Sequence, residues 1–197
     1  MRMMDKIILA SGSPRRKQLL ELAEISFEVA VCHTDETYPR RLPPSEVAMH
    51  IAYNKAEAVR RDLSLKDDMQ PSIIIGADTI VVLGDDIIGK PTNREDAIRI
   101  LSLLSGKAHQ VITGVCILSA TKKIVFAEET SVTFHPLTIN QIEYYVDHYR
   151  PYDKAGAYAI QEWIGAVGIQ SIKGDFYNVM GLPVSRVAGE LDKLRRS

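Results

Sequence analysis

The chain has 197 residues, of which 46% are hydrophobic and 25% charged, with a formal net charge of -1. That content supports a sizeable core, in one large domain or two small lobes sharing a sheet, and argues against disorder. A charge so close to zero removes any general attraction to nucleic acid or to an anionic membrane, so neither is an expected partner.

Ile7, Ile8 and Leu9 read as a short buried strand. Ser11-Gly12-Ser13 reads as a tight turn, and Pro14 suits the first position of a helix capped by Ser13. Leu19, Leu20 and Ala23 mark that helix's buried face. A strand that turns into a helix N-terminus presents free N–H groups to an anion. Arg15 and Arg16 in the first turn oppose the helix dipole: either a bound phosphate offsets that conflict, or this is an ordinary strand-to-helix turn with two solvated arginines. Phe27 to Val31 reads as a second strand, followed by the polar loop His33-Thr34-Asp35-Glu36-Thr37. Asp35 and Glu36 are adjacent, so they form either a solvated acidic turn or a pair of which at most one faces a given site.

Pro43-Pro44-Ser45 opens a second helix, with Ser45 as its cap. Val47, Ala48, Ile51, Ala52 and Val59 fall at helical spacing. Lys55 lies at the edge of that stripe, where it either snorkels to water or reaches across the stripe into a cleft. Asp62 to Pro71 reads as a charged surface loop. Ile73 to Ala77 is a continuous apolar run, as in a strand buried on both faces. Asp78 follows it directly and precedes a second run, Ile80 to Leu83. It is either a salt-bridged core carboxylate or, at a strand end, a functional one.

Gly84-Asp85-Asp86 is a hairpin turn, and Lys90 sits on a restricted loop between Gly89 and Pro91. Thr92-Asn93-Arg94-Glu95 reads as a capping box for a helix that buries Ala97, Ile98, Leu101 and Leu104 and stops at Gly106. His109 to Leu118 and Ile124 to Phe134 are two long strands, the first interrupted by Thr113-Gly114, a bulge or a close backbone approach. His109 is read as structural, since no second histidine stands at ligand spacing. Thr138 to Gln141 is another capping box, and Ile142, Tyr145, Val146 and Tyr149 face inward before Pro151 ends the helix. Asp153 to Gln161 is rich in small residues, which admit a ligand close to the backbone or a tight turn. Ala166 to Ile172 resembles a strand, and a C-terminal helix packs Val184, Val187, Leu191 and Leu194.

Cys32 and Cys116 belong to no CxxC pair, which indicates neither a zinc site nor a disulfide framework. That fits a reducing cytosol. No long apolar stretch suggests a signal peptide or a membrane span, so the expected location is cytoplasmic.

The polar residues that need explaining are Arg15, Arg16, Glu36, Lys55, Asp78, Lys90, Lys154 and Gln161. Several cations with two carboxylates describe a site for a polyphosphate carrying a divalent metal. Hard oxygen ligands suit Mg²⁺ or Mn²⁺, which bind substrate phosphates as well. The metal would lower the pKa of a bound water, a carboxylate would orient or deprotonate it, and the cations would stabilise charge at phosphorus.

These residues lie in segments that resemble the Maf-like nucleoside triphosphate pyrophosphatases. The segments are Leu9 to Arg16, Asp35-Glu36-Thr37, Asn54-Lys55-Ala56, Gly76-Ala77-Asp78-Thr79, Gly89-Lys90-Pro91, Val111 to Gly114, Asp153 to Tyr158 and Val179 to Pro183. They follow the family's order over nearly the whole chain. The resemblance implies a single Maf-like domain over 1–197, with an α/β fold. It would be a mixed elongated sheet with flanking helices, in two lobes around a cleft, similar to inosine triphosphate pyrophosphatases and often dimeric. It implies cleavage of a nucleoside triphosphate to the monophosphate and pyrophosphate, a role in cleansing the nucleotide pool. Carried over by position, Ser11, Arg15, Lys55 and Lys90 would contact phosphate, with Lys90 also counted among the catalytic groups and Lys154 among the substrate-binding ones. Glu36 and Asp78 would hold metal or activate water. Arg16, Thr79 and Gln161 would lie near the base. Ala77-Asp78-Thr79 and Asp153 to Gln161 resemble the branch acting on dTTP and UTP more than the branch acting on 7-methyl-GTP. Glu162-Trp163 departs from the family, which more often has glycine after the glutamine. The competing reading is a nucleotide-binding regulator of cell division, since the family is also linked to septum formation. A binder has no need of an activated water, so Glu36, Asp78 and Lys90 together favour the enzyme.

Overall fold

Strand and helix alternate from β1 (Lys6–Leu9) as far as β3 (Ser72–Leu83). The computed structural model describes residues 6–39, 41–65 and 72–196. In chain order the elements are β1 (Lys6–Leu9), α1 (Pro14–Leu22), β2 (Glu28–Val29), α2 (Pro44–Leu65), β3 (Ser72–Leu83), β4 (Asp86–Ile88), α3 (Arg94–Leu104), β5 (Ala108–Leu118), β6 (Lys123–Phe134), α4 (Ile139–Tyr149), a 3-10 turn (Ala155–Ala157), α5 (Trp163–Gly168), β7 (Ile169–Lys173), α6 (Phe176–Met180) and α7 (Val184–Arg196). Among the described residues, seven strands form one mixed sheet in the order β2-β1-β3-β5-β6-β7, with β4 paired to β3. The expected mixed α/β sheet with flanking helices is what the chain adopts.

The chain divides into two compact units. The first takes Met1–Asp78, Thr113–Glu128 and Gly181–Ser197. Here β1 pairs in parallel with β2 on one side and with β3 on the other, in the register Leu9↔Val29 and Leu9↔Ile75. Chain direction across the sheet therefore reverses at β1, and such a reversal opens a crevice at the carboxyl ends of the strands. Helix α2 lays Ala52, Ala56 and Val59 on Ile8, Ile74, Cys116 and Leu118. It comes very close to the strands. A Cβ built on Gly76 would lie 2.3 Å from the Ala52 carbonyl oxygen, and one on Gly114 2.2 Å from the Ala48 carbonyl carbon. The Thr113-Gly114 interruption is thus a close backbone approach.

The second unit takes Thr79–Ile112 and Glu129–Met180. Its β4 returns antiparallel on β3 through Gly84, whose φ of 62° needs a glycine. Its β7 is antiparallel to β6. Its core gathers Leu101 and Leu104 of α3, Phe134 of β6, and Tyr145 and Val146 of α4, with Tyr158 and Ile160. Arg94 at the start of α3 pairs with Asp147 of α4 through both carboxylate oxygens, at 2.6 and 2.9 Å.

Several sequence expectations need correction. Ala23 is exposed at the end of α1, not on its buried face. Strand β2 covers two residues rather than Phe27 to Val31. Helix α2 begins at Pro44, so Ser45 lies within its first turn and does not cap it. It also runs on to Leu65, into the expected loop, whose remainder at 66–71 lies outside the described residues. Helix α3 is capped by Asn93, which accepts from the Asp96 N–H, while Thr92 donates to the Asp96 carboxylate. Its buried face uses Ile100, with Ile98 only half-buried. Tyr149 is exposed, because Ile142, Tyr145 and Val146 already fill the inward face. Ala166 to Gly168 is helical, and the strand starts at Ile169.

His109 is structural, as its lack of partners suggested. It is 2% exposed, with Nε2 2.7 Å from the Tyr158 hydroxyl. Its ring lies against Phe134, and Nδ1 has no hydrogen-bond partner. Burial disfavours the charged imidazolium and lowers its pKa from 6.5 to about 4. The unfolded chain therefore takes up a proton at this residue below pH 6.5 that the folded chain refuses until about pH 4. Stability from this group is intact above pH 6.5 and falls as pH drops through that window, by about 2 kcal/mol at pH 5. Urea midpoints measured at pH 7 and pH 5 should differ more for the native protein than for His109→Phe.

Candidate active site

The first cluster is built where β1 ends and α1 begins. Ser11 is buried two residues past β1, and its Oγ accepts from the Ser13 N–H at 3.2 Å. The same oxygen accepts from Arg16 Nη1 at 3.0 Å, and Arg16 Nε donates to the Gly181 carbonyl at 2.8 Å. Arg16 is only 8% exposed. Burial pulls its guanidinium below the ordinary pKa, Asp78 and Glu36 oppose that, and Arg15 adds to it. An arginine remains charged at neutral pH even so. Ser13 stands at the cap position, yet its side chain makes no capping bond.

The second element is α2, which carries Lys55. Its ammonium lies 2.6 Å from Asp78 Oδ1 and 2.7 Å from Glu36 Oε1. Lys55 thus reaches across the apolar stripe to two carboxylates instead of snorkelling away. Glu36 comes from the irregular loop after β2, where the Thr37 N–H donates to Asp35 Oδ1. Of the adjacent acidic pair, then, Asp35 shapes the loop and Glu36 meets Lys55. Asp78 does not end a strand, since β3 continues to Leu83. It does stand three residues beyond Ile75, the last residue of β3 in register with β1. Ser11, Arg16, Glu36, Lys55 and Asp78 thus form one charged network.

Thr79, Lys90, Lys154 and Gln161 belong to the second unit. Thr79 follows Asp78 on β3 and is half-buried. Lys90 is exposed on its loop before buried Pro91. The Gly156 N–H donates to the Gly89 carbonyl at 3.1 Å, which ties the Lys90 loop to the segment after Lys154. Gly156, at φ 71°, also packs so closely that a Cβ would lie 2.9 Å from the Val81 side chain. Lys154 is 8% exposed, with its ammonium 2.7 Å from Asp153 Oδ1 and 3.5 Å from Glu162 Oε1. Gln161 is exposed at a turn. Sequence reasoning missed the Gly181 carbonyl that holds Arg16, and it counted Tyr145 only as core. A tyrosine hydroxyl on a buried helix face was the available signal, because it needs a polar partner.

Among the described residues no group of three or more His, Cys, Asp or Glu could hold a metal by itself. Two carboxylates do converge on one cation, the Lys55 ammonium. Two hard oxygen donors that already share a positive charge suit a Mg²⁺ that completes its shell with water and substrate phosphates.

The family model described as Maf-like protein matches residues 6–194. The chain belongs to the Maf-like family. It is 50% identical over 187 residues to a protein of Parabacteroides distasonis named dTTP/UTP pyrophosphatase, covering 94% of each chain. A protein of Bacillus cereus with the same name is 49% identical over 188 residues, covering 95% of each. One of Cytophaga hutchinsonii, also so named, is 50% identical over 188 residues, covering 95% of this chain and 84% of its own. No helix among the described residues is long and apolar enough to cross a membrane.

The approach of α2 to β3 positions Lys55, and Gly76 permits it. Gly76→Ala puts a methyl into the Ala52 carbonyl and the Ala56 side chain, so helix and strand must separate. The expected loss is about 1–3 kcal/mol or more, read in urea unfolding. Gly189→Ala is the contrast, because a Cβ there meets nothing within 4 Å on α7. It should hold or raise stability, by up to about 1 kcal/mol.

Proposed function

We propose that this protein hydrolyses dTTP and UTP to the nucleoside monophosphate and pyrophosphate. One observation of the molecule carries the reading: Lys55 lies within hydrogen-bond distance of both Glu36 and Asp78. Names shared by relatives of about half identity over nearly the whole chain support it. A carboxylate pair of this kind can take a proton from water and steer its attack on the α-phosphorus. Pyrophosphate then leaves with the bridging oxygen.

Charge suits the substrate. Glu36 and Asp78 are formally balanced by Lys55 and Arg16, so the triphosphate's own charge calls for further cations. Arg15, Lys55 and Lys90, with the Ser11 hydroxyl, are assigned to its phosphate oxygens, and Lys154 to substrate binding. Glu36 and Asp78 are the oxygen donors for a Mg²⁺ or Mn²⁺ that would arrive with the substrate. Bound there, such an ion would neutralise phosphate charge and acidify a water. Arg16, Thr79 and Gln161 are assigned to the base. Uracil and thymine present two carbonyl acceptors around an N3–H donor. Glutamine can donate and accept, whereas arginine only donates. Cytosine would set its amino group against a donor, and an unpaired polar group costs about 1–3 kcal/mol, roughly five- to a hundredfold in selectivity.

The deciding experiment is a panel of dTTP, UTP, CTP, GTP and 7-methyl-GTP with Mg²⁺ or Mn²⁺ and identification of products. The expected result is monophosphate and pyrophosphate from dTTP and UTP, with no turnover in excess EDTA. Orthophosphate as the product, or a faster rate on CTP or 7-methyl-GTP, would overturn the assignment.

Glu36→Gln and Asp78→Asn keep shape and remove charge. Each should lower kcat by on the order of a hundredfold or more while the protein stays folded. Near-native turnover in either variant removes that residue from the chemistry.

A further inference from the structure

Tyr145 is fully buried on α4, with its ring stacked on Tyr149 at 5.0 Å. Its hydroxyl does two things at once. It accepts from the Ala159 N–H at 3.1 Å, and it donates to Glu162 Oε2. Ala159 and Glu162 are the first and last residues of one turn, closed by the Glu162 N–H donating to the Ala159 carbonyl at 3.1 Å. Gln161 stands at the corner of that turn, exposed. The other oxygen of the same carboxylate, Glu162 Oε1, lies 3.5 Å from the Lys154 ammonium. A single buried hydroxyl therefore holds both ends of the turn carrying Gln161. The carboxylate it orients also faces the lysine.

We infer that Tyr145 and Glu162 are positioning residues for base selection, holding the Ala159–Glu162 turn so that Gln161 is presented in one orientation. This rests on the assignment of Gln161 to the base. The physical argument is preorganisation. An exposed glutamine on a free turn samples many orientations, and each must be given up on binding. A turn pinned at both ends has already given them up. The loss of one buried hydroxyl should therefore appear in selectivity and substrate affinity, since neither residue is placed at the reacting phosphorus.

Tyr145→Phe removes only the oxygen and keeps the ring packing. In the free protein, the Ala159 amide should exchange its hydrogen on the order of tenfold faster than in the native chain. The ratio of kcat/KM for UTP over CTP should fall roughly five- to tenfold. The fall should come through KM for UTP, with kcat within about twofold. Glu162→Gln keeps a carbonyl acceptor for the hydroxyl and should retain Ala159 protection. Glu162→Ala, at a partly exposed position, is the second variant and should lower the ratio as Tyr145→Phe does. In a Gln161→Ala background, Tyr145→Phe should lower the ratio no further, because both changes act on the same contact. A Tyr145→Phe protein with native Ala159 exchange and a native ratio overturns the inference, as does a loss that simply adds to that of Gln161→Ala. A Gln161→Ala protein that keeps the native ratio refutes the assignment of Gln161. The anchor then stands or falls on Ala159 exchange alone.

Discussion

One ammonium between two carboxylates organises the first unit. Lys55 lies 2.7 Å from Glu36 and 2.6 Å from Asp78. Its side chain and that of Asp78 are 17% and 14% exposed, so this is not a solvated surface pair of little consequence. Two carboxylates brought together without a cation repel each other. The lysine must therefore reach them, and its reach depends on where α2 lies. Gly76 and Gly114 set that position, because α2 rests its backbone where a Cβ at either glycine would stand.

Arg16 presents the opposite problem. A guanidinium at a helix N-terminus is disfavoured by the dipole, and burial adds a desolvation cost. The structure answers with the Ser11 hydroxyl, the Gly181 carbonyl and the fields of Asp78 and Glu36. The conflict visible in the sequence is thus offset within the protein. A bound anion is not required to explain why an arginine is tolerated there.

In the second unit the buried polar groups fasten segments to one another. Asn178 donates from Nδ2 to the Val111 carbonyl and to Thr130 Oγ1, and Thr130 Oγ1 in turn accepts from the Asp175 N–H and donates to its carbonyl. Tyr158 meets His109, and Tyr145 meets the turn before α5. Each is a strong interaction because little water reaches it. Together they turn irregular chain, where no sheet or helix ladder imposes order, into fixed loops.

Local chemistry was legible in the sequence. The continuous apolar run Ile73 to Ala77 announced β3 as a strand buried on both faces, and His109 to Leu118 announced β5 as a long strand. The 3.6-residue spacing of Val47, Ala48, Ile51, Ala52 and Val59 announced α2, and Thr138 to Gln141 announced the start of α4 through a capping box that forms. Asp78 between two apolar runs marked the charged cluster, because burying a charge demands a partner, and Arg15 and Arg16 marked it by standing against the helix dipole. The partners themselves are another matter. Only the tertiary structure decided that Lys55 turns inward, that Glu36 and not Asp35 meets it, and that β3 runs through Asp78. It alone decided that the Tyr145 hydroxyl anchors a turn more than ten residues away. Such choices depend on contacts between segments far apart in the chain, and neither periodicity nor propensity carries information about those distances.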